Sequence, residues 1–201
     1  MGHMMEYSEY KYLILSDLYR TTGSIKFKIL LKYIFRSETY KFNFWLRTCT
    51  YTSLNPSLKY TIFPVARLIL EHLRYKLGIS IYYPTKIGPG LYIGHFGGIH
   101  INFRCVIGKN CNISNEVTLG QSNRGQNKGY PVLGDNVYIG PGAKIVGAVK
   151  IGNNVAIGAN CVVTKDIPDN SVVVGIPGKV ISQKGSYGYI NKIDYDDKIL
   201  K

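Results

Sequence analysis

The sequence predicts a mainly β protein, a parallel β-helix that follows an N-terminal α-helical segment. Two observations predict this fold. Between Ile87 and Lys179 a branched aliphatic residue returns in steps of six, and glycine directly follows most of these aliphatics. In the first third of the chain the apolar residues follow helical spacing instead. A fixed short period over many repeats is typical of a solenoid, in which each unit buries its apolar face against the next.

The six-residue period suits a short strand followed by a corner. Parallel strands about 4.8 Å apart would form the walls of a prism. The glycine can take corner angles that a β-carbon forbids. A helix is excluded, because apolar residues at strict sixes do not follow a period of 3.6. The aliphatic positions are Ile87, Ile93, Ile101, Ile107, Ile113, Leu119, Leu133, Ile139, Ile145, Ile151, Ile157 and Val163.

Three stretches follow from these patterns: helices over 5–78, the β-helix over 79–181, and a polar tail over 182–201 that we expect to dock loosely. Within the helical stretch, Tyr60–Leu77 is amphipathic and ends at Gly78, a candidate C-cap. Its apolar positions include Val65, Leu68, Ile69 and Leu73, with His72 beside them. A second helical stripe contains Ile25, Ile29, Leu30, Tyr33 and Ile34.

The chain is basic, with 25 Lys and Arg against 12 Asp and Glu, and many of the basic residues stand among aromatics in the N-terminal third. Helix packing is the first explanation for this cluster, and peripheral contact with anionic lipid is the second. Nucleic acid is not expected as a partner, since no recognition motif is present. No apolar run reaches the ~20 residues that span a bilayer.

The ends and the cysteines indicate a cytoplasmic protein, peripheral at the inner membrane surface if the lipid explanation holds. Met1-Gly2-His3 suggests the remnant of an expression tag before a start at Met4 or Met5, and no signal peptide is visible. Four cysteines occur without a C-x-x-C pair, so we expect reduced thiols and no metal site.

Four segments carry a resemblance: Lys86–Ile99 (KIGPGLYIGHFGGI), Val117–Gly120 (VTLG), Gly140–Gly147 (GPGAKIVG) and Val173–Ile181 (VVGIPGKVI). The chain resembles the hexapeptide-repeat acyltransferases, and within them the serine acetyltransferase branch. The IGHFGGI variant is closest to the O-acetyltransferases of surface-polysaccharide biosynthesis. The resemblance implies a left-handed β-helix, a homotrimer and acetyl-CoA as co-substrate.

His95 is the predicted general base. Transfer of an acyl group to a hydroxyl needs a base with a pKa near neutrality, and histidine provides one. The resemblance assigns that role to His95. Stacking the coils with two extra residues at Ile99–Ile101 places Asn115 and Glu116 above His95 as candidate partners of its ring, and Ser80 near it from below. His100 either binds the acceptor or is an exposed strand residue.

The resemblance also implies residues for the coenzyme and the second substrate. Gly120, Pro141, Gly142 and Ala159 would let the pantetheine arm approach the backbone, and Lys165 and Lys179 are candidates for its phosphates. The excursion Gln121–Tyr130 would help to enclose acetyl-CoA. Its Arg124 and Lys128 either meet phosphates or an acidic sugar, or are ordinary surface charge.

The acceptor side departs from the serine acetyltransferases. Ser80, Gly94, Gly129 and Tyr130 stand where those enzymes have charged or imidazole groups. We therefore expect a sugar or lipid-linked oligosaccharide acceptor, with serine O-acetylation in cysteine biosynthesis as the alternative. A non-catalytic scaffold and a carrier-dependent N-acyltransferase are more distant alternatives. Aromatic candidates for stacking on a sugar are Phe96, Phe103, Tyr130, Tyr82 and Tyr83.

Overall fold

A computed structural model describes residues 4–200 of the chain. Met1-Gly2-His3, the core of the suggested tag remnant, and Lys201 at the end of the predicted tail lie outside the described residues. Within residues 4–200, no helix combines the length and the apolar character needed to cross a membrane.

The N-terminal stretch is helical, as predicted. Its five helices are α1 (Tyr7–Thr22), α2 (Phe27–Arg36), α3 (Glu38–Leu54), α4 (Pro56–Lys59) and α5 (Ile62–Leu77). The hydroxyl of Ser37 caps α3 by accepting from the amide of Tyr40. Gly78 ends α5 in the left-handed conformation, with φ 61°, which confirms the predicted C-cap.

The inward face of α5 differs from the prediction. The helix buries Ala66, Leu70, Leu73 and Leu77, while Val65, Leu68 and His72 are exposed. The stripe at 66, 70, 73 and 77 also has helical spacing, and it is the one that meets α3 and the first coil. The sequence allowed both stripes, and the position of the β-helix selects between them.

The following residues form a parallel β-helix with three faces, in agreement with the predicted fold. Face A contains β1 (Ile79–Ser80), β4 (Ile99–Ile101), β7 (Thr118–Gly120), β10 (Lys144–Val146) and β13 (Val162–Val163). Face B contains β2 (Lys86–Ile87), β5 (Val106–Ile107), β8 (Val132–Leu133) and β11 (Lys150–Ile151). Face C contains β3 (Tyr92–Ile93), β6 (Asn112–Ile113), β9 (Tyr138–Ile139), β12 (Ala156–Ile157), β14 (Val172–Val174) and β15 (Lys179–Ser182). The chain visits faces A, B and C in turn, and β15 returns antiparallel to β14.

The six-residue repeat sets the register of the coils. Ile93 pairs with Ile113, and Ile113 pairs with Ile139. All the predicted aliphatic positions are buried except Ile87, which packs against the same core at partial exposure. Cys111 also points inward, and burial raises the pKa of its thiol to about 12. The cysteines therefore act as small apolar residues.

A ladder of asparagines holds the corner between faces B and C. Asn110, Asn136, Asn154 and Asn170 all have φ between 55° and 58°. The amide of Asn110 donates to Asn136 at 2.9 Å, Asn136 donates to Asn154 at 2.9 Å, and Asn154 donates to Asn170 at 3.0 Å. Asparagine tolerates this left-handed conformation better than most residues, so one residue type serves the turn and the ladder.

The helices grip the first coil through a buried ion pair. Asp17 of α1 and Arg47 of α3 lie 3.0 Å apart, and both side chains are almost fully buried. Asp17 accepts from the amide of Leu91 at 2.7 Å, while Arg47 donates to the carbonyls of Ile87 and Gly88, each at 2.7 Å. Burial raises the pKa of the Asp17 carboxyl, and the Arg47 guanidinium opposes that rise. We call Asp17, Arg47 and the Ile87–Leu91 backbone the clamp.

Other side chains of α1 and α3 complete the contacts of that backbone. Ser16 accepts from the amide of Gly90 at 3.0 Å, and Asn43 donates to the carbonyl of Leu91 at 3.1 Å. Arg20 donates to the carbonyl of Gly90 at 3.3 Å. The K-I-G-P-G-L segment is therefore held by the helices, immediately before the strand that leads to His95.

The expectation of a loosely docked tail is wrong. Tyr195 is 1% exposed and its hydroxyl donates to Asn110 at 2.6 Å, at the start of the asparagine ladder. Tyr189 stacks on Tyr138 of face C with ring centroids 4.4 Å apart. The short helix α6 (Asp196–Ile199) follows. A polar composition indicated a solvated segment, but these aromatic residues anchor it.

We expect Asp17→Ala to lower the free energy of unfolding by about 3–5 kcal/mol, because it leaves the Arg47 guanidinium buried without its carboxylate. Thermal and denaturant unfolding would measure the loss. Asp197→Ala, at an exposed position, is the matched control and should change stability by about 0.5 kcal/mol or less. Equal stabilities of the two variants would contradict the role of the clamp.

Candidate active site

One corner of the prism, between faces C and A, collects most of the predicted site residues. In successive coils this corner consists of Gly97–Gly98, Asn115–Glu116, Pro141–Gly142 and Ala159–Asn160, which we call the corner column. Backbone hydrogen bonds join its levels: Glu116 donates to Gly97 at 2.8 Å, Gly142 to Asn115 at 3.0 Å, and Asn160 to Pro141 at 2.8 Å.

His95 and Phe96 form a two-residue insertion in the lowest level of the corner column. The strand pairings Ile93 with Ile113 and Ile101 with Leu119 leave two more residues in the lower coil than in the upper one. Since Gly97 occupies the place of Asn115, the extra residues are His95 and Phe96. Our placement of them at Ile99–Ile101 was wrong, because those residues pair regularly in β4.

The insertion presents His95 to solvent. Both His95 and Phe96 are exposed, and Phe96 is 48% exposed. Gly97 and Gly98, with φ 102° and 67°, return the chain to the regular corner. These are left-handed backbone angles that residues with a β-carbon adopt reluctantly. The chain therefore carries its candidate base on a projection from the prism.

Asn115 and Glu116 lie one coil above the insertion, as predicted, but no hydrogen bond in the described structure joins either side chain to the His95 ring. Glu116 has φ 59°, and its carbonyl accepts from the Lys144 ammonium. Their role as partners of His95 therefore stays a prediction. Ser80 is not below His95, because it pairs with His100 in face A.

Close packing requires glycine at two positions of the corner column. A β-carbon on Gly142 would lie 2.0 Å from Oδ1 of Asn160, and one on Gly98 would lie 3.0 Å from Cγ of Glu116. Gly142 also has φ 73°. At these two positions the column therefore has no room for a residue larger than glycine.

The predicted coenzyme residues separate into two groups. Pro141, Gly142 and Ala159 belong to the corner column, and Lys179 pairs with Val174 at its C-terminal end. Gly120 and Lys165 do not join them. Gly120 pairs with Val146 at the far edge of face A, and Lys165 follows β13 at that same edge.

The loop Gln121–Tyr130 also lies at the far edge, between faces A and B. The amide side chain of Asn127 donates to the carbonyl of Thr164 at 2.8 Å, which holds the loop along its own prism. Arg124 and Lys128 are exposed. Tyr130 accepts from Arg104 at 3.0 Å. One chain therefore does not bring Tyr130 or Arg124 to His95.

A shallow cavity of about 240 Å³ lies on face A between the two edges. Its lining residues are Ser80, Tyr82, His100, Ile101, Asn102, Thr118, Leu119, Gly120 and Gln121. His100 is exposed there, between the buried Ile99 and Ile101, as the alternation predicted.

Arg74, which no sequence pattern marked as a site residue, brings a cation to the lower end of face A. Its guanidinium lies 3.7 Å from the centre of the Tyr82 ring and 2.5 Å from the carboxylate of Glu71. Its Nη2 donates to Ser80 at 3.4 Å. The only signal in the sequence was a basic residue in the last turn of a helix, which is common for reasons of the helix dipole.

Within residues 4–200, no three His, Cys, Asp or Glu side chains come together in a group that could bind a metal ion. The polar side chains at the lower end of the corner column are the exposed imidazole of His95 and, one coil above it, the amide of Asn115 and the carboxylate of Glu116. Such a set can move a proton and bind polar groups.

The fold is a left-handed parallel β-helix built on a hexapeptide repeat. Residues 130–165 match the family described as bacterial transferase hexapeptide (six repeats). A serine acetyltransferase of Staphylococcus aureus is 46% identical over 120 residues, which cover 60% of this chain and 56% of that protein. The chain thus spans little more than half the length of this curated relative.

Two solved structures share the fold. Serine acetyltransferase isoform 3 of Entamoeba histolytica, in complex with cysteine, has a TM-score of 0.63 and 31% identity, over 81% of this chain and 57% of that one. A serine acetyltransferase of Neisseria gonorrhoeae, in complex with serine, has a TM-score of 0.68 and 25% identity, over 88% of this chain and 70% of that one. The resemblance to this branch is confirmed, whereas these relatives give no support to a closer kinship with polysaccharide enzymes.

The insertion can be tested by deletion. Removing His95 and Phe96 should leave the β-helix folded, with little change in melting temperature, because Gly94, Gly97 and Gly98 then match the regular corner. Removing Asn115 and Glu116 instead takes a complete corner from a regular coil. Circular dichroism and thermal melting would compare the two deletions. A comparable loss of stability in both would contradict the assignment of the insertion.

Proposed function

We propose that this chain is an O-acetyltransferase that moves the acetyl group of acetyl-CoA to a hydroxyl, with His95 as general base. The observation that carries the proposal is the two-residue insertion, which presents an imidazole to solvent at the lowest level of the corner column. The relatives named serine acetyltransferases support the same reaction class.

The chemistry requires one base and one leaving group. The unprotonated nitrogen of His95 takes the proton of the acceptor hydroxyl, and the hydroxyl oxygen attacks the thioester carbonyl at the same time. The carbon–sulfur bond then breaks, and the imidazolium returns the proton to the departing coenzyme thiolate.

Acetyl-CoA would lie along the corner column with its thioester beside His95. Three coil spacings, about 14 Å, separate the level of Gly97 from that of Ala159. At the upper two levels Pro141, Gly142 and Ala159 offer no long side chain, so an extended arm would lie against the backbone there. Lys179, at the C-terminal end of the column, would meet the phosphates.

The acceptor that the relatives support is L-serine, which was the alternative in our sequence analysis. A sugar hydroxyl is the second candidate, on one specific observation. Gly94 precedes His95, and Gly129 and Tyr130 stand in the loop, so those positions provide no charge for an ammonium or a carboxylate. Arg74 of α5 reaches Ser80 at the lower end of face A, but it is already paired with Glu71.

A homotrimer would complete this site. His95 and Tyr130 lie on opposite edges of face A, so packing one prism against the next would bring the His95 edge of one chain to the Tyr130 edge of its neighbour. The coenzyme would then lie between subunits. Lys165 and Arg124 would reach the site in this way, from the partner's edge. A cytoplasmic location, with its supply of acetyl-CoA, is part of the same proposal.

The acceptor can be determined by measuring release of coenzyme thiol from acetyl-CoA with L-serine and with a panel of free and lipid-linked sugars. We expect turnover with a hydroxyl acceptor and none with matched primary amines. A higher kcat/KM for serine than for every sugar supports the serine acceptor, and the reverse order supports the sugar. Absence of thiol release with all hydroxyl acceptors would contradict the proposed function.

A further inference from the structure

Helix α2 presents an outer face that no other part of the described chain covers. At about 100° per residue, its ten residues divide into three stripes. Ile29, Leu30, Tyr33 and Ile34 face inward and pack beside Tyr40. The remaining half of the helix surface is exposed, and it is neither uniformly polar nor uniformly apolar.

The exposed half consists of an apolar stripe and a basic stripe, side by side. Phe27, Leu31 and Phe35, spaced four apart, are 69%, 41% and 73% exposed. Lys28, Lys32 and Arg36 have the same spacing one position on, and all three are exposed. Two phenylalanines exposed on one helix keep apolar area in water, and burying that area against a partner would be favourable.

The packing of α2 fixes the direction of these stripes. The inward residues join a cluster with Ile14, Leu15 and Leu18 of α1, so α2 cannot rotate to hide its phenylalanines. The inward residues pack on the helical core, whereas Phe27 and Phe35 lie outside it. The apolar stripe is thus a permanent surface of the folded chain.

The basic stripe borders a cavity of about 260 Å³, lined by Lys32, Tyr33, Arg36 and Ser37. No acidic residue occurs from Lys26 to Arg36, and the chain as a whole has a formal charge of +13. Two cations around one small cavity match the charge of a phosphate group. A second copy of this surface is a poor partner, since the two basic stripes would repel each other.

We propose that the outer face of α2 docks this protein on an anionic phospholipid bilayer. Phe27, Leu31 and Phe35 enter the boundary between headgroups and acyl chains, and Lys28, Lys32 and Arg36 remain at the level of the phosphates. This is the geometry of an interfacial helix, whose affinity comes from buried apolar area together with attraction to anionic lipid. The inference is independent of the proposed acetyl transfer.

Co-sedimentation of the full chain with vesicles tests this inference. We expect binding to phosphatidylcholine vesicles that contain phosphatidylglycerol, weak binding to phosphatidylcholine alone, and release at high salt. The double substitution Lys32→Gln and Arg36→Gln should lower the partition coefficient by about 30-fold. Phe27→Ser with Phe35→Ser should lower it by at least about tenfold.

The matched control is Lys86→Gln with Lys150→Gln, two exposed cations of face B that carry the same charge change. Circular dichroism and thermal melting of each variant verify that the helices remain folded. Equal losses in the control and in the α2 variants, or no binding of the wild-type chain to anionic vesicles, would overturn the proposal. The proposal would also be overturned if light scattering showed a smaller oligomer for the phenylalanine variant while its vesicle binding stayed unchanged.

Discussion

The buried pair Asp17–Arg47 is the interaction on which the rest of the structure depends. A solenoid has no central core that fixes all its coils at once, because each coil rests on the one before it. The first coil therefore needs another partner, which is the helical segment: α5 packs against this coil, and so do α1 and α3. Their side chains satisfy the peptide groups of Ile87–Leu91 directly. Since Ile93 follows two residues later, the clamp also determines where the His95 insertion leaves the prism.

Regular coils supply the stability of this molecule, and departures from regularity supply its candidate chemistry. The asparagine ladder and the aliphatic positions repeat with little variation from coil to coil. The insertion His95–Phe96 and the loop Gln121–Tyr130 interrupt them at two different corners. An inserted residue can change without disturbing the register, whereas a corner residue such as Gly142 cannot. This division places the candidate base and the loop at separate corners of one scaffold.

The spacing of apolar residues predicted the β-helix, the N-terminal helices and the position of Asn115 and Glu116 one coil above His95, because these depend on short-range patterns. It misplaced the insertion because moving two residues between positions 95–96 and 99–101 leaves the aliphatic count unchanged. Only the backbone hydrogen bonds, in which the amide of Glu116 donates to the carbonyl of Gly97, separate the two choices. The clamp was invisible because a charged residue on a helix usually faces water. The tail was misjudged because its composition is polar while its contacts are made by Tyr189 and Tyr195.

The central claim is that His95 is the general base. The most direct measurement is the rate of thiol release by His95→Ala, with His72→Ala as the control, both at saturating acetyl-CoA and acceptor. His72 is an exposed histidine of α5, so its loss removes an imidazole without touching the insertion. The account predicts that His95→Ala loses about 10²–10⁴-fold in rate while keeping the wild-type melting temperature, and that His72→Ala is unchanged. Full activity in a folded His95→Ala enzyme would contradict it.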